Sequence, residues 1–361
     1  MEFILLNAAI SAEKNLWSSI LMDLPIERQD VYFQPEYLQA NIDSSETEAL
    51  CVVCKSGAAV LVYPFLRSII ERKKVVFNQT KLRDIRTAYG YGGPVVNFAG
   101  EDHQFLEVAW SLFAKWCKTE HVITEFVRFH PLLDNVRWAS SLMKSFNDRT
   151  TIPMQLDSYE IALGTSSYYR SHRQMLNKAN RMGFTFHVLP ASSELSWFVP
   201  LYLSTQESLS ASSETKFEMD YFNKLTYGLG SNAWLGVIKQ NNEIAAAALV
   251  LESRCYLHSH LMGYRQDIKT AGMTNLLYHG IAKIGAGNEK QVLHMGGGLT
   301  GSDKDSLFRF KQSLSPARAS FWLGTCCHNQ IQYEEVGKEW ERENGPRPKN
   351  YFQFYRLPRA V

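Results

Sequence analysis

Two stretches of this chain carry the same succession of hydrophobic periods, and that repetition constrains the fold more than any other feature. In the first, apolar runs at Ala49–Cys54, Ala58–Leu66 and Lys74–Phe77 read as strands, and a glycine turn follows at Tyr89–Pro94. A helix is expected near His103–Lys118, where Phe105, Ala109, Leu112 and Trp116 recur at helical spacing. A strand near Val122–Phe129 ends the unit. In the second, strand-like runs at Ala233–Lys239, Glu243–Glu252 and Arg254–Leu261 precede a turn-rich stretch, Gly263–Gly272. A helix near Ala271–Ala286, with Met273, Leu277, Ile281 and Ile284 on one face, and a strand at Gln291–Met295 complete it. Antiparallel strands, a helix and a returning strand make an α+β unit. Its double occurrence predicts a duplicated fold, with domains at residues 1–150 and 151–361.

Length agrees with this division: 361 residues suffice for two lobes of ordinary size. The 38 Lys and Arg nearly cancel the 36 Asp and Glu, so no global field favours nucleic acid, and DNA is not an expected partner. Phosphate contacts would have to come from a local basic patch. The N-terminal MEFILLNAAI reads as a first strand, because Glu2 stands where a signal peptide would carry Lys or Arg. No stretch reaches the ~20 apolar residues needed to span a bilayer. A cytoplasmic protein, able to work at the inner membrane face, is the expectation. Six cysteines are scattered, and the Cys51–Cys54 pair lies inside a strand-like run. Adjacent Cys326 and Cys327 point to no ordinary ligand set, and no spacing argues for a metal.

Between the repeats, the polar Asp148–Pro153 is a plausible boundary. A helix is expected at Tyr168–Met182, ended by Gly183 in the C-terminal capping position, with Met175, Ala179 and Met182 as its apolar stripe. Ser204–Thr215 reads as a loop, and the tail Asn350–Leu357 as a strand that packs back on a sheet.

Three constellations can carry chemistry. The helix at Tyr168–Met182 presents Arg170, Arg173, Lys178 and Arg181, which can grip a phosphate-bearing substrate, although a solvated helix face shows the same charge run. The turn Tyr91-Gly92-Gly93-Pro94 lets backbone approach a ligand, or simply joins two strands. The third is His294–Leu314, HMGGGLTGSDKDSLFRFKQSL. There a strand ends, Gly296, Gly297 and Gly298 turn the chain, Ser302 or Asp303 caps a helix through Phe308 and Phe310, and Lys311 follows. A lysine beside such a turn can neutralise a phosphate or a developing oxyanion.

That last string resembles the C-terminal motif of FemAB-like transferases and their acetyltransferase-like relatives. VYFQPEYLQA (Val31–Ala40), YGYGGPVV (Tyr89–Val96) and HRQMLNKANRMGF (His172–Phe184) are also similar to that group, in the same order. The last of these places Leu176, the pair Lys178-Ala179, and Gly183 on an Arg-x-x-Ile-x-Lys-Ala-x-x-x-Gly pattern. The resemblance implies two tandem GNAT-like domains, each a mixed, mainly antiparallel sheet flanked by helices. It further implies transfer of an acyl group to an amine. In FemAB proteins the donor is aminoacyl-tRNA and the acceptor a peptidoglycan precursor. Their functional lysine falls on Lys311, and their basic helix on Arg173 and its neighbours. Tyr37, Tyr91, Gly92, Gly93, Arg170, Arg173, Lys178, His260, His294, Gly296, Gly297, Gly298 and Phe310 are the expected substrate contacts.

Two departures bear on the donor. No heptad-rich insertion marks the long helical hairpin of tRNA-dependent members, so the chain is nearer their compact relatives. The place of the GNAT pyrophosphate cradle reads Lys269-Thr-Ala-Gly272-Met-Thr274, with one of its glycines replaced. No permanently bound cofactor is expected, and the donor is left open between aminoacyl-tRNA and acyl-CoA. The expected acceptor is the amine of a phosphate-bearing cell-envelope, amino-sugar or polysaccharide precursor. A base is needed for the amine proton, and His260, His294 or a substrate carboxylate are equal candidates. An acetyl-CoA-dependent N-acetyltransferase and a non-catalytic GNAT-like scaffold are the alternative readings.

Overall fold

Both strand–helix–strand successions are present in the computed structural model, which describes residues 1–70, 81–209, 216–268 and 272–357. It divides into two units. Unit 1 comprises Met1–Arg28, Tyr32–Asp148 and Phe321–Val361, and unit 2 comprises Gln29–Val31 and Arg149–Ser320.

Unit 1 begins with β1 (Glu2–Asn7), α1 (Ser11–Met22) and α2 (Pro35–Ala40). β2 (Thr47–Ser56), β3 (Ala59–Ile69), β4 (Arg83–Arg86), β5 (Val95–Val96), α3 (His103–Thr119), β6 (Val122–Arg128) and β7 (Lys144–Thr151) follow. β1, β2, β3 and β4 pair antiparallel in sequence, whereas β6, reached through α3, lies parallel to β4. β2 and β3 are buried along most of their length, which is why they read as unbroken apolar runs. α3 buries Phe105, Ala109, Phe113 and Cys117, in steps of four. The expected stripe through Leu112 and Trp116 is therefore rotated by one residue, and those two side chains lie at its half-buried border. Asp102 caps the helix by accepting from the Phe105 N–H at 2.8 Å.

Unit 2 contains β8 (Pro153–Gln155), α4 (Tyr159–Thr165), α5 (Arg170–Arg181), β9 (Phe184–Pro190), α6 (Leu195–Ser208) and α7 (Met219–Leu229). β10 (Ala233–Gln240), β11 (Glu243–Glu252), β12 (Tyr256–Tyr264), α8 (Met273–Gly287), β13 (Val292–His294) and α9 (Ser306–Gln312) complete it. The sheet order is β8-β13-β12-β11-β10-β9. β12 and β13 are the parallel pair, joined through α8, and the other neighbours are antiparallel. Three antiparallel strands, a helix and a strand parallel to the third thus occur in both units, as the duplicated α+β reading requires. α8 turns Met273, Leu277 and Ile281 into the core with Leu257 and Leu293 of the sheet.

The chain then returns to unit 1. β14 (Ala319–Cys327) pairs antiparallel with β6 and continues the sheet to β7, and α10 (Gln330–Asn344) follows. The boundary expected after residue 150 lies beside the observed one, but Phe321–Val361 belongs to unit 1 rather than unit 2. Backbone pairing with β6 decides this, and the local pattern of β14 does not encode its partner. The tail is not a strand. Phe354 sits in a short 3-10 turn and packs with Ile70, Leu82, Ile123 and Val336.

Other expectations change for local reasons. Residues 204–208, read as loop from their polar composition, extend α6, where Thr205 turns its hydroxyl onto the Leu201 carbonyl at 2.9 Å. α9 is capped by Asp305, which accepts from the Phe308 N–H at 3.0 Å, and not by Ser302 or Asp303. α5 buries His172, Leu176 and Ala179 in place of the stripe drawn through Met175 and Met182. Lys74–Phe77, Lys269–Ala271 and residues 210–215 lie outside the described residues.

Candidate active site

The residues of the third constellation converge in unit 2. β13 ends at His294, and the chain turns through Gly296, Gly297 and Gly298. This turn is held from two sides. The Gly296 carbonyl accepts from the Ile152 N–H at 3.1 Å, and the Gly298 carbonyl accepts from the Arg149 guanidinium at 3.4 Å. A Cβ on Gly298 would stand 2.5 Å from an Asp305 carboxylate oxygen and 3.0 Å from Phe308 Cβ, so only glycine lets the turn close on the start of α9. Asp305 ties the same corner by accepting from the N–H of Thr300 at 3.0 Å as well as capping the helix.

Lys311 lies six residues further on, near the end of α9. Its side chain is 8% exposed, and Nζ donates to the Gly297 carbonyl at 2.7 Å. Burial pulls its pKa from 10.5 down to about 8, with the Asp305 carboxylate opposing that shift. The amine is thus a positive charge in a dry site, held by one backbone oxygen. Phe310, beside it, packs its ring 6.2 Å from Tyr278 over the α8 core.

The histidines separate by environment. His294 Nε2 meets the Thr151 hydroxyl at 2.9 Å, three residues before the carbonyl that holds Lys311. Its ring stands 5.8 Å from that of His258. His258 Nε2 in turn meets a carboxylate oxygen of Asp30 at 2.8 Å, with both side chains buried. Asp30 and His258 were absent from the sequence reading. No local signal could have joined residues 228 positions apart. His260 is engaged elsewhere, with Nε2 2.7 Å from the Tyr221 hydroxyl, and burial takes its pKa down to about 3.

The basic helix α5 is split. Arg170 and Arg181 are exposed and Lys178 is half-buried. Arg173 donates through one nitrogen to the carbonyls of Leu163 at 2.5 Å and Ser166 at 2.9 Å, where it satisfies the end of α4. The Tyr168 hydroxyl donates to the Gln312 carbonyl, which links the approach to α5 with the end of α9.

The remaining expected contacts lie in unit 1. Tyr37 is fully buried and donates its hydroxyl to the Tyr89 carbonyl at 2.7 Å. The Tyr91 ring meets Tyr32 and Phe321 edge-on. The Gly92 and Pro94 carbonyls accept from the Asn135 amide at 2.8 and 3.0 Å, and Gly93 turns between them.

Residues 166–312 match the family model described as an acetyltransferase (GNAT) domain. Unit 2 is a GNAT acyltransferase domain. Solved structures extend this likeness to the whole chain as fold. FemX superposes with a TM-score of 0.67 at 13% identity, covering 93% of this chain and 100% of its own. The C-terminal domain of a protein described as a lysylphosphatidylglycerol synthetase, from Agrobacterium fabrum, gives 0.56 at 16%, covering 90% and 94%. A tandem GNAT protein from the clavulanic acid biosynthesis pathway gives 0.52 at 10%, covering 91% and 98%. None of the curated proteins compared matches this sequence. The fold is therefore the tandem GNAT, FemAB-like one implied by the motifs.

The start of the crossover helix α8 is the place expected from the sequence to cradle a donor pyrophosphate. Gly272 precedes α8 at φ 103° and offers no side-chain cap. A Cβ there would stand 2.4 Å from the Met175 carbonyl of α5. The GNAT glycine is thus needed for the close approach of two helices, whatever else it binds.

Proposed function

We propose that this GNAT acyltransferase moves an acyl or aminoacyl group from an activated ester or thioester to an amine on a phosphate-bearing precursor of the cell envelope or a polysaccharide. The observation that carries the reading is the Lys311 ammonium, buried against the Gly297 carbonyl at 2.7 Å at the end of β13. When the acceptor amine attacks the donor carbonyl, negative charge grows on the carbonyl oxygen. A desolvated cation fixed beforehand stabilises that charge without reorganisation. Holding donor and acceptor together supplies the rest of the rate by removing entropy before the reaction.

His294 is the proton acceptor we favour among the earlier candidates. It leads into the same turn as Lys311, whereas His260 is bound to Tyr221 and held neutral by burial. The exposed Arg170 and Arg181 are the α5 cations available to acceptor phosphates, since Arg173 already serves the α4 carbonyls.

An aminoacyl-tRNA or another activated acyl donor is preferred over acetyl-CoA. What supports this is the approach of α5 to Gly272, which fills space beside the α8 N-terminus, together with the missing second glycine. The alternative, an acetyl-CoA donor, draws on the acetyltransferase description of the matching family and on an α8 start that carries no side-chain cap. Calorimetry with acetyl-CoA, run beside a transfer assay using charged tRNA and an amine-bearing lipid-linked precursor, separates them. Transfer from charged tRNA with no measurable coenzyme binding is expected. Micromolar acetyl-CoA affinity with acetyl transfer would overturn the donor assignment.

A further inference from the structure

The glycine turn after β13 holds a second cation besides Lys311. Arg149 stands near the end of β7, two residues before Thr151, so the two side chains share one face of that strand. Thr151 meets His294 at 2.9 Å, and the Arg149 guanidinium donates to the Gly298 carbonyl at 3.4 Å. Gly297 makes room for it: a Cβ there would stand 3.1 Å from the Thr150 carbonyl oxygen and 3.3 Å from Arg149 Cδ. Lys311 Nζ donates to the Gly297 carbonyl at 2.7 Å, so two cations lie on successive carbonyls of one turn. Asp305, the carboxylate tied into this turn, already accepts from the N–H groups of Thr300 and Phe308. The exposed Arg318 adds a further positive charge, 5.6 Å over the Phe308 ring.

We propose that Arg149, with Lys311 beside it, binds a phosphate group of a substrate at the glycine turn. The proposal rests on the acyl-transfer reading of that turn and adds to it the group that anchors the substrate there. Two cations tied to one turn exceed the single charge of Asp305, and a phosphate offsets the surplus. This is the local basic patch that a chain of nearly balanced charge needs for such a contact. The guanidinium suits the ligand: its planar fork sends two parallel N–H bonds to two phosphate oxygens, where an ammonium offers a point charge. Its bond to the Gly298 carbonyl, at 3.4 Å, is near the limit of hydrogen-bonding length, so a shorter charge-assisted bond replaces it at little cost. The two cations then divide the work. Arg149, half-buried, meets an anion that is present before the reaction, and the buried Lys311 meets charge that develops during it. A phosphate ester on the acceptor and one on the donor present the same chemistry, and kinetics tell them apart.

Inorganic pyrophosphate is the probe. Calorimetry should show it bind the folded wild-type chain, and Arg149→Gln should weaken that binding about 10–100-fold. Arg149→Lys should fall in between, because it keeps the charge and loses the fork. Arg265→Gln, at a residue that pairs with Glu243 and Asp267, should leave binding unchanged. In the transfer assay, pyrophosphate should compete with the substrate that carries the phosphate. Arg149→Gln should raise that substrate's Michaelis constant by a similar factor, while turnover falls far less. Competition with the acceptor alone assigns the phosphate to the acceptor, and competition with the donor alone assigns it to the donor. Arg149-dependent pyrophosphate binding in a chain that transfers no acyl group would strike the acyl-transfer reading and leave this site standing. A folded wild-type chain that binds no pyrophosphate would overturn the proposal. So would binding unaltered in Arg149→Gln, or a loss of turnover with both Michaelis constants unchanged, the mark of a residue that only props the turn.

Discussion

The two units share one framework and use its two critical places differently. One place is the start of the crossover helix. In unit 1, α3 begins at Asp102, whose carboxylate accepts from the Phe105 N–H and so occupies the positive end of the helix. In unit 2, α8 begins at Gly272, with no side-chain cap. The other place is the chain leaving the strand that the crossover reaches. After β6 it is a filled turn, where Asn135 accepts from the His130 N–H at 2.8 Å and donates to the Gly92 and Pro94 carbonyls. After β13 it is the glycine triplet, and a buried lysine reaches its backbone. The comparison teaches that a duplicated scaffold can close the same two places with side-chain hydrogen bonds in one copy and with glycine backbone in the other.

The largest effect should come from Lys311. Lys311→Ala is expected to lower turnover on the order of a hundredfold, about 3 kcal/mol of transition-state stabilisation, with a small change in the acceptor Michaelis constant. Steady-state kinetics with the transferring donor check it, and wild-type turnover would remove the chemistry from unit 2. Its titration gives a second readout. The folded-state value, about 8, lies below the 10.5 of the free side chain. The active cation is therefore lost as pH rises through about 8, and the turnover profile should fall there in the wild type but not in Lys311→Arg. For stability the sign is opposite. The unfolded chain holds the extra proton between the two values, so this group makes stability rise with pH across that window and lose that contribution as pH falls through the lower one.

Asn135→Ala is the matching change in unit 1. Three buried hydrogen bonds disappear, and a loss of about 2 kcal/mol in stability is expected, with turnover of the folded fraction unchanged. Denaturant unfolding and active-site-normalised kinetics distinguish the two. A drop in turnover beyond the unfolded fraction would give the unit 1 turn, with Tyr91, Gly92 and Gly93, a share in substrate binding.

The helix starts should differ in the same way. Gly272→Ala combines a left-handed φ with a 2.4 Å approach to the Met175 carbonyl, and about 2 kcal/mol of destabilisation is expected from the strain. Asp102→Ala should cost about 1 kcal/mol, the ordinary worth of an N-cap. Thermal unfolding of both variants measures the difference, and an inverted order would contradict the packing account of Gly272.

The smallest expected effect is that of Arg173→Ala. It should lower stability by about 1 kcal/mol through the two α4 carbonyls and leave the acceptor Michaelis constant unchanged. Arg170→Ala should do the reverse. A raised Michaelis constant in Arg173→Ala would return that residue to the acceptor site, as the sequence motif implied.

Much of the framework was legible because burial on both faces of a strand leaves a continuous apolar run. β10 and β11 therefore appeared to within a residue, and β2 and β3 to within two or three. α8 appeared because its core face repeats every three to four residues, and Gly183 marked the end of α5 with its φ of 78°. The glycine triplet and Lys311 were also visible, since a motif confined to about 20 residues keeps its order whatever surrounds it. The division of α5 cations was not visible, because charge runs look alike whether they face solvent or, like Arg173, the end of another helix. Residues 204–208 look like loop by composition, but hydroxyls such as that of Thr205 bond back to their own helix, which continues to Ser208.

By itself the sequence determined the elements of the two repeated units and their order, because backbone preference and apolar period are local properties. The GNAT character of both halves came from the resemblance of its motifs, which are likewise local strings. Only the tertiary structure decided which unit β14 joins, since strand pairing depends on hydrogen bonds to a partner far along the chain. It alone brought Asp30 to His258, and Glu125 to His328. Those groups lie on separate segments, and their chemistry arises from distances of a few ångströms that no spacing along the chain records.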